Sequence, residues 1–333
     1  MTMVDPENTN LVTHTLSNGQ EIQLPPHDVF YEQFTTRNRG VISDGDQIRL
    51  RNAVILVAGC GSVGGAAVEP LIRFGAENLI LVEPDAYDLY NLNRQNMRLQ
   101  DIGRNKAEAL RERVLDINPY ASIDVIPVGI TEENVRELVE RSDIIVDGVD
   151  VTTQKPLLMK YLLHKEAKAL GKPVISGYDV AGLQLLHIYD YRDPSVMILH
   201  NKVQEQEVRT IPPFRFLRKV VPIAAIPYEI IGELRKQIRG ERSGFPQIVY
   251  TAHLFGVMTL PAILDLLAGR PIKRRIICDV PTMLRPASER GRIAIKRWKG
   301  LYKLNNEFRQ AHREQPRTTP EAQETRAEAT NGR

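Results

Sequence analysis

From residue 53 onward, short apolar β-branched runs alternate with longer stretches of helical periodicity. The pattern predicts strands at Ala53–Ala58, Asn78–Glu83, Ser122–Pro127, Asp143–Gly148 and Pro173–Gly177. Between them it predicts helices at Val63–Gly75, Asn105–Asn118, Thr131 to about Ser142 and Thr152–Leu170. Gly75, Pro119 and Gly171 act as helix stops, and Thr131, with acids just after it, acts as a helix start. Strands alternating with helices imply a mainly parallel sheet covered by helices on both faces. Leu183–Tyr191 then begins an antiparallel extension in the C-terminal half. A helical pattern follows at Pro227–Arg239, a late buried helix at Thr251–Ala268 and a final strand at Arg275–Asp279.

Three stretches escape this rhythm. Residues 1–28 are rich in Thr, Asn, Pro and His and read as a flexible or extended arm. Residues 204–244 mix charges with prolines and Phe/Arg pairs and are the least legible part of a folded region spanning 29–300. Residues 305–333 lack apolar periodicity and read as a disordered tail.

Composition narrows the class. The chain has 333 residues, 42% hydrophobic and 26% charged, which suits a soluble globular protein with a sizeable core. A formal charge of +3 gives no case for nucleic acid, which calls for a strongly basic face. Two cysteines make no disulfide framework and suit a reducing cytoplasm. The apolar run Leu254–Leu267 contains Pro261 and Asp265 and is too short for a comfortable membrane span.

The candidate chemistry begins where the first strand ends. Gly59, Gly61 and Gly64 fit the G-x-G-x-x-G turn that opens a helix beneath a phosphate, making the fold class α/β and Rossmann-like. The alternative is a tight strand–helix turn with no ligand. Glu83 ends the second strand, where an acid binds ribose hydroxyls or is simply solvated. These features say "nucleotide" and leave NAD, FAD and ATP open. The following Asn91-Leu-Asn-Arg94-Gln95 run favours ATP, because negative charge builds on phosphoryl oxygens during transfer and an arginine fork can grip them. Lys106 opens a helix, an unfavourable place for a cation, and so needs an anionic partner. Asp150 follows the strand ending near Gly148, where open α/β sheets place ligands, and its hard carboxylate suits Mg²⁺. Its other reading is a helix cap leading into Thr152 and Thr153. Asp147 reads as support for the strand end.

At these residues the chain resembles the ThiF/MoeB/HesA family, bacterial relatives of the ubiquitin-activating enzymes. The resemblance runs from about Arg37 to about Pro271 and is poor from Gln204 to Gly244. Arg37-Asn38-Arg39 and the lead-in Gln47–Val54 match its start. The glycine turn, Glu83 with Asp85, Asn91 to Gln95, Ile102-Gly-Arg-Asn-Lys106-Ala and Asp147-Gly-Val-Asp150 follow in order. The resemblance implies that Asn91, Arg94 and Lys106 contact ATP phosphates, while Gln95 holds the loop's shape and Asp85 serves the nucleotide or a plain turn. It also implies that an arm arginine, Arg39 or Arg37, crosses a two-fold interface into the partner's site. It places the crossover loop and acceptor docking in 204–244. Many relatives hold zinc through two C-x-x-C pairs and use a crossover cysteine. Here the only cysteines are Cys60, inside the glycine turn, and Cys278, in an apolar strand that looks buried. Four thiolates cannot come from two residues, so no structural zinc is expected, nor a covalent cysteine relay.

The sequence therefore reads as a homodimeric, ATP- and Mg²⁺-dependent adenylyltransferase. It would activate a carboxylate, on a ubiquitin-like carrier protein, a peptide or a small acid, as an acyl-adenylate with release of pyrophosphate. Arg94, Lys106, Asp150 and Arg39 are its expected catalytic residues. Relatives that cyclise an activated carboxylate on transfer RNA are also similar, though the modest charge argues against RNA. Two rivals are an NAD(P)-dependent oxidoreductase on the same turn and a non-catalytic nucleotide-binding scaffold.

Overall fold

A computed structural model describes residues 11–241 and 246–314. In chain order the strands are β1 (Val12–Thr15), β2 (Glu21–Leu24), β3 (Val54–Ala58), β4 (Asn78–Val82), β5 (Ser122–Ile126), β6 (Ile144–Asp147), β7 (Val174–Val180), β8 (Leu183–Tyr189) and β9 (Arg275–Asp279). The helices are α1 (His27–Phe34), α2 (Asp44–Asn52), α3 (Gly64–Phe74), α4 (Lys106–Leu115), α5 (Val135–Glu140) and α6 (Gln154–Ala169). The second half adds α7 (Glu205–Val208), α8 (Pro213–Val220), α9 (Ile231–Ile238), α10 (Val249–Leu267), α11 (Val280–Leu284) and α12 (Ala287–Glu314).

Seven strands form one sheet in the order β5-β4-β3-β6-β7-β8-β9. The pairs among β5, β4, β3, β6 and β7 are parallel, whereas β7–β8 and β8–β9 are antiparallel. The mainly parallel sheet with an antiparallel extension is thus as the hydrophobic pattern implies. The sequence says why: the last four residues of β3, all of β6 and the last four of β4 are buried, which only a sheet covered on both faces allows. One core layer joins α5 and α6 to the sheet through Leu138, Val139, Leu157 and Leu163. The other joins α3, α4 and α10 through Val68, Leu71, Leu110, Phe255 and Ile263. The long apolar α10 packs against α2, α3 and strands β6–β8. The chain leaves β3 toward β4 and β5, then returns to place β6 on β3's other side. The carboxyl ends of β3 and β6 therefore flank the point where strand order reverses, which is where such sheets open a crevice.

Several expectations need correction. The supposed arm contains an antiparallel hairpin, β1 with β2, followed by α1. Tyr120 ties it down by donating to the Pro25 carbonyl at 2.7 Å. Its short strands carry too few apolar positions to signal themselves. Residues 1–10 of that expected arm lie outside the described residues. The helix expected from Thr131 starts only at Val135, because Asn134 and Thr131 bond each other's backbone and hold a turn first. The helix expected from Pro227 starts at Ile231, after a 3-10 turn. Residues 305–314, expected in a disordered tail, continue α12. This helix packs on α9, where Arg235 donates to Glu307 at 3.0 Å. Residues 315–333 of that expected tail lie outside the described residues. Cys278 is only partly buried, since β9 is the edge of the sheet.

Candidate active site

A cleft of about 1430 Å³ opens at the carboxyl ends of β3, β6 and β7. The turn after β3 forms its floor. Gly59 has φ +86°, and a Cβ there would stand 2.6 Å from the Gly148 carbonyl, so the turn after β3 and the turn after β6 touch through backbone. A Cβ on Gly64 would lie 1.9 Å from the Gly59 oxygen, which is why the helix can start so close beneath the strand. Gly61 differs: its Cβ would meet nothing nearer than Gln95 Nε2 at 3.8 Å. That open face lies before the first turn of α3, whose leading N–H groups have no partner within the helix. The cradle fits a phosphate.

Glu83 stands behind the turn. Its carboxylate accepts the Cys60 N–H at 2.8 Å and the Asp85 N–H at 3.0 Å. It is 5% exposed, and burial raises its pKa against the pull of Lys106. It shapes the turn as well as facing the cleft. Cys60 is fully buried, its thiol pKa pushed up by burial, and it does not line the cleft.

The basic side of the cleft comes from the loop between β4 and α4. Arg94 donates from Nε to Gln247 Oε1 at 2.7 Å and from Nη1 to the Tyr90 carbonyl at 2.9 Å and Asn93 Oδ1 at 3.0 Å. Burial lowers its pKa. Asn91 is buried and accepts the Asp88 N–H at 2.9 Å, so it builds the loop that presents the arginine. Gln95 follows, its buried Oε1 without a hydrogen-bond partner. Lys106, the first residue of α4, reaches Asp85 Oδ2 at 3.3 Å, the anionic partner its position calls for. The Asn105 side chain caps α4 and also donates to the Glu83 carbonyl at 2.8 Å, binding the acidic and basic segments together.

Asp147 and Asp150 separate into two roles. Asp147 is fully buried beside Lys160 (2.5 Å), His164 Nε2 (3.0 Å) and Ser176 Oγ (2.5 Å). Burial alone would raise its pKa, but Lys160 and His164 hold it well below the usual carboxylate range. His164 is kept neutral by burial, so its Nε2–H donates to Asp147 while Nδ1 accepts the Tyr191 hydroxyl at 2.8 Å. Asp150 is exposed in the cleft. Its oxygens accept the Thr152 N–H at 2.9 Å and the Thr152 hydroxyl at 2.6 Å, an Asx turn ahead of α6, whose cap residue is Thr153. Each oxygen keeps a lone pair for a hard cation.

Thus Gly59, Gly61, Glu83, Asp85, Asn91, Arg94, Gln95, Lys106 and Asp150 all line one cleft, with Gly64 beneath it. Arg39 does not. Its neighbour Asn38 donates to the Phe74 carbonyl at 3.0 Å, so Arg39 is exposed near the C-terminal end of α3. Eleven residues of helix separate that end from the glycine turn, roughly 16 Å at the α-helical rise. Within one chain it is remote from the cleft. Sequence reading also missed cleft residues: Ser62, Lys155, Asp179 and Gln247, and an apolar wall with Phe214, Leu217, Ile226, Leu301 and Phe308. Asp179 lies near the end of β7 and carried no motif. The wall is built by α8, α9 and α12, of which the pattern had read only α9.

A glycine cradle, a presented arginine and an acidic turn at the strand reversal of a mainly parallel sheet define an α/β protein of Rossmann-like, nucleotide-binding type. Residues 35–285, well over half of the chain, match the ThiF family, and the chain belongs to it. The sulfur carrier protein adenylyltransferase of Thermus thermophilus is 30% identical over 183 residues, 54% of this chain and 61% of that protein. The tRNA threonylcarbamoyladenosine dehydratase of Bacillus subtilis is 27% identical over 182 residues, 52% of this chain and 70% of that protein. The adenylyltransferase and sulfurtransferase UBA4 of Lodderomyces elongisporus is 26% identical over 185 residues, 54% of this chain and 39% of that protein. The chain therefore spans less than the full length of the curated relatives it matches. Among solved structures, the fold is shared with the E. coli tRNA N6-threonylcarbamoyladenosine dehydratase TcdA (TM-score 0.52, 19% identity, 72% of this chain and 95% of that one). It is shared too with E. coli MccB crystallised with ATP (TM-score 0.50, 17% identity, 70% of this chain and 62% of that one).

Proposed function

We propose that this chain is an ATP-dependent adenylyltransferase that activates a carboxylate. One observation carries the reading: the glycine cradle, Arg94, Lys106 and Asp150 converge on one cleft at the strand reversal. The carboxylate attacks the α-phosphorus of ATP, an O–P bond forms, and the bond to the departing pyrophosphate breaks. The N–H groups leading α3, with Arg94 and Lys106, stabilise the charge that gathers on the phosphoryl oxygens. Lys106 is held by Asp85 and Arg94 by Gln247, so both cations are aimed before substrate arrives. Asp150 would hold Mg²⁺, which would supply charge neutralisation at the phosphates. Glu83 and Asp85, both lining the cleft, would accept the ribose hydroxyls.

The apolar wall of α8, α9 and α12 gives the acid's hydrocarbon part a place beside this polar half. A peptide C-terminus, a carrier protein's tail or a small acid all satisfy the chemistry. Arg39, remote from its own cleft, acts across a two-fold homodimer interface on the partner's site. The oxidoreductase reading leaves Arg94, Lys106 and Asp150 without a task. Titration calorimetry with ATP and with NAD⁺ tests the choice: the account requires ATP binding that R94A weakens. NAD⁺ binding without ATP binding would overturn it.

A further inference from the structure

Among the described residues, Asp179 is the one cleft carboxylate that the adenylation chemistry leaves unused. It is next to last on β7, and its Oδ2 accepts the hydroxyl of Ser62, in the glycine turn, at 3.2 Å. Its Oδ1 is buried and has no hydrogen-bond partner. Among the described residues no lysine or arginine pairs with it, and Arg94, whose charge acts on it, is held by Gln247 and the Tyr90 carbonyl. Burial raises its pKa to about 6, with Ser62 and Arg94 pulling the other way. A desolvated carboxylate with an idle oxygen needs a donor, and preferably a charged one. Its place beside the phosphate cradle makes the need acute, because a bound triphosphate repels it and occupies Arg94. A thiol offers neither charge nor a strong hydrogen bond, and neither Cys60 nor Cys278 lines the cleft.

We propose that Asp179 is the subsite for a primary amine, bound as an ammonium between the carboxylate and the nucleotide, and that this amine is the acyl acceptor. The inference rests on the adenylation reading and makes the overall reaction amide formation. The ammonium gives one proton to Asp179. Its freed lone pair attacks the acyl carbon of the acyl-adenylate, the N–C bond forms as the C–O bond to the phosphate breaks, and AMP leaves. The second proton lost from nitrogen passes to solvent.

The coupling between nucleotide and amine can be read without knowing the natural substrates, using ATP and ethylammonium chloride at neutral pH. Calorimetry on the wild type should show ethylammonium strengthening ATP binding roughly fivefold, while tetramethylammonium, which has no N–H, does not. D179N keeps the shape and the Ser62 acceptor. It should bind ATP more tightly than wild type without amine and lose the ethylammonium effect, and D179S should behave alike. If ATP binds wild type but ethylammonium has no effect, or acts equally on D179N, the amine subsite falls and the adenylation reading stands. If wild type takes no ATP, both fall.

Discussion

Lys160 reaches Asp147 across the inner side of α6, Nζ to Oδ2 2.5 Å, and neither side chain is more than 1% exposed. The pair pins the end of β6 from below while the loop that follows presents Asp150 to the cleft. Removing one partner strands a buried charge. K160M should therefore destabilise the protein by about 3–5 kcal/mol in urea unfolding. The double variant D147N/K160M should be less destabilised than the two single effects summed. Strict additivity would mean that the two side chains do not act as a pair.

The glycines of the cradle are predicted to fail in different ways. Gly64→Ala drives a Cβ to 1.9 Å from the Gly59 oxygen and should cost roughly 3 kcal/mol of stability, since backbone cannot step aside. Gly61→Ala meets only Gln95 Nε2 at 3.8 Å, so it should melt like wild type yet bind ATP more weakly, its methyl standing where the phosphate approaches. Equal ATP affinity in the Gly61→Ala protein would remove the turn from phosphate binding.

Most of this site was legible because its residues sit at the carboxyl ends of strands that announce themselves. Gly59, Glu83 and Asp150 each follow an apolar run whose length fixes where it ends. What escaped lies where local pattern carries little. The β1–β2 hairpin has short, largely exposed strands, and α12 mixes Arg, Lys and Glu with a sparse apolar stripe that is covered only by tertiary contact, with α9, the turn before it and Phe214 of α8. Asp147 was read as support for its strand end, but its partners Lys160 and His164 could not be named from a sequence in which neither stands out. Asp179 was invisible for the same reason: its meaning comes from Ser62, more than a hundred residues away.

Asp179 also sets a pH dependence. Its folded pKa, about 6, lies above the ordinary 3.8, so burial penalises the charged form. The penalty is absent below pH 3.8, where both states are protonated, grows as pH rises, and is complete above about 6. D179N should therefore be more stable than wild type at neutral pH by at most about 3 kcal/mol, with the difference vanishing in acid. Melting curves across that range check it, and a difference independent of pH would contradict the assignment.

The position of Arg39 at the far end of α3 bears on assembly. R39A and R94A should each be inactive. Mixed with subunit exchange, they should regain up to about a quarter of wild-type activity, because one site in a mixed dimer carries neither lesion. Persistent inactivity after proven exchange would place Arg39 in its own subunit's site or outside the mechanism.

The central claim is adenylyl transfer, and the fate of the α-phosphate decides it. Wild type is incubated with Mg²⁺, ATP labelled in its α-phosphate, and pooled free-carboxylate peptides and small acids, and the products are separated. The account predicts label in AMP with free pyrophosphate, dependent on the carboxylate pool and lowered about 10²-fold in R94A. Label accumulating in ADP with release of inorganic phosphate would contradict it.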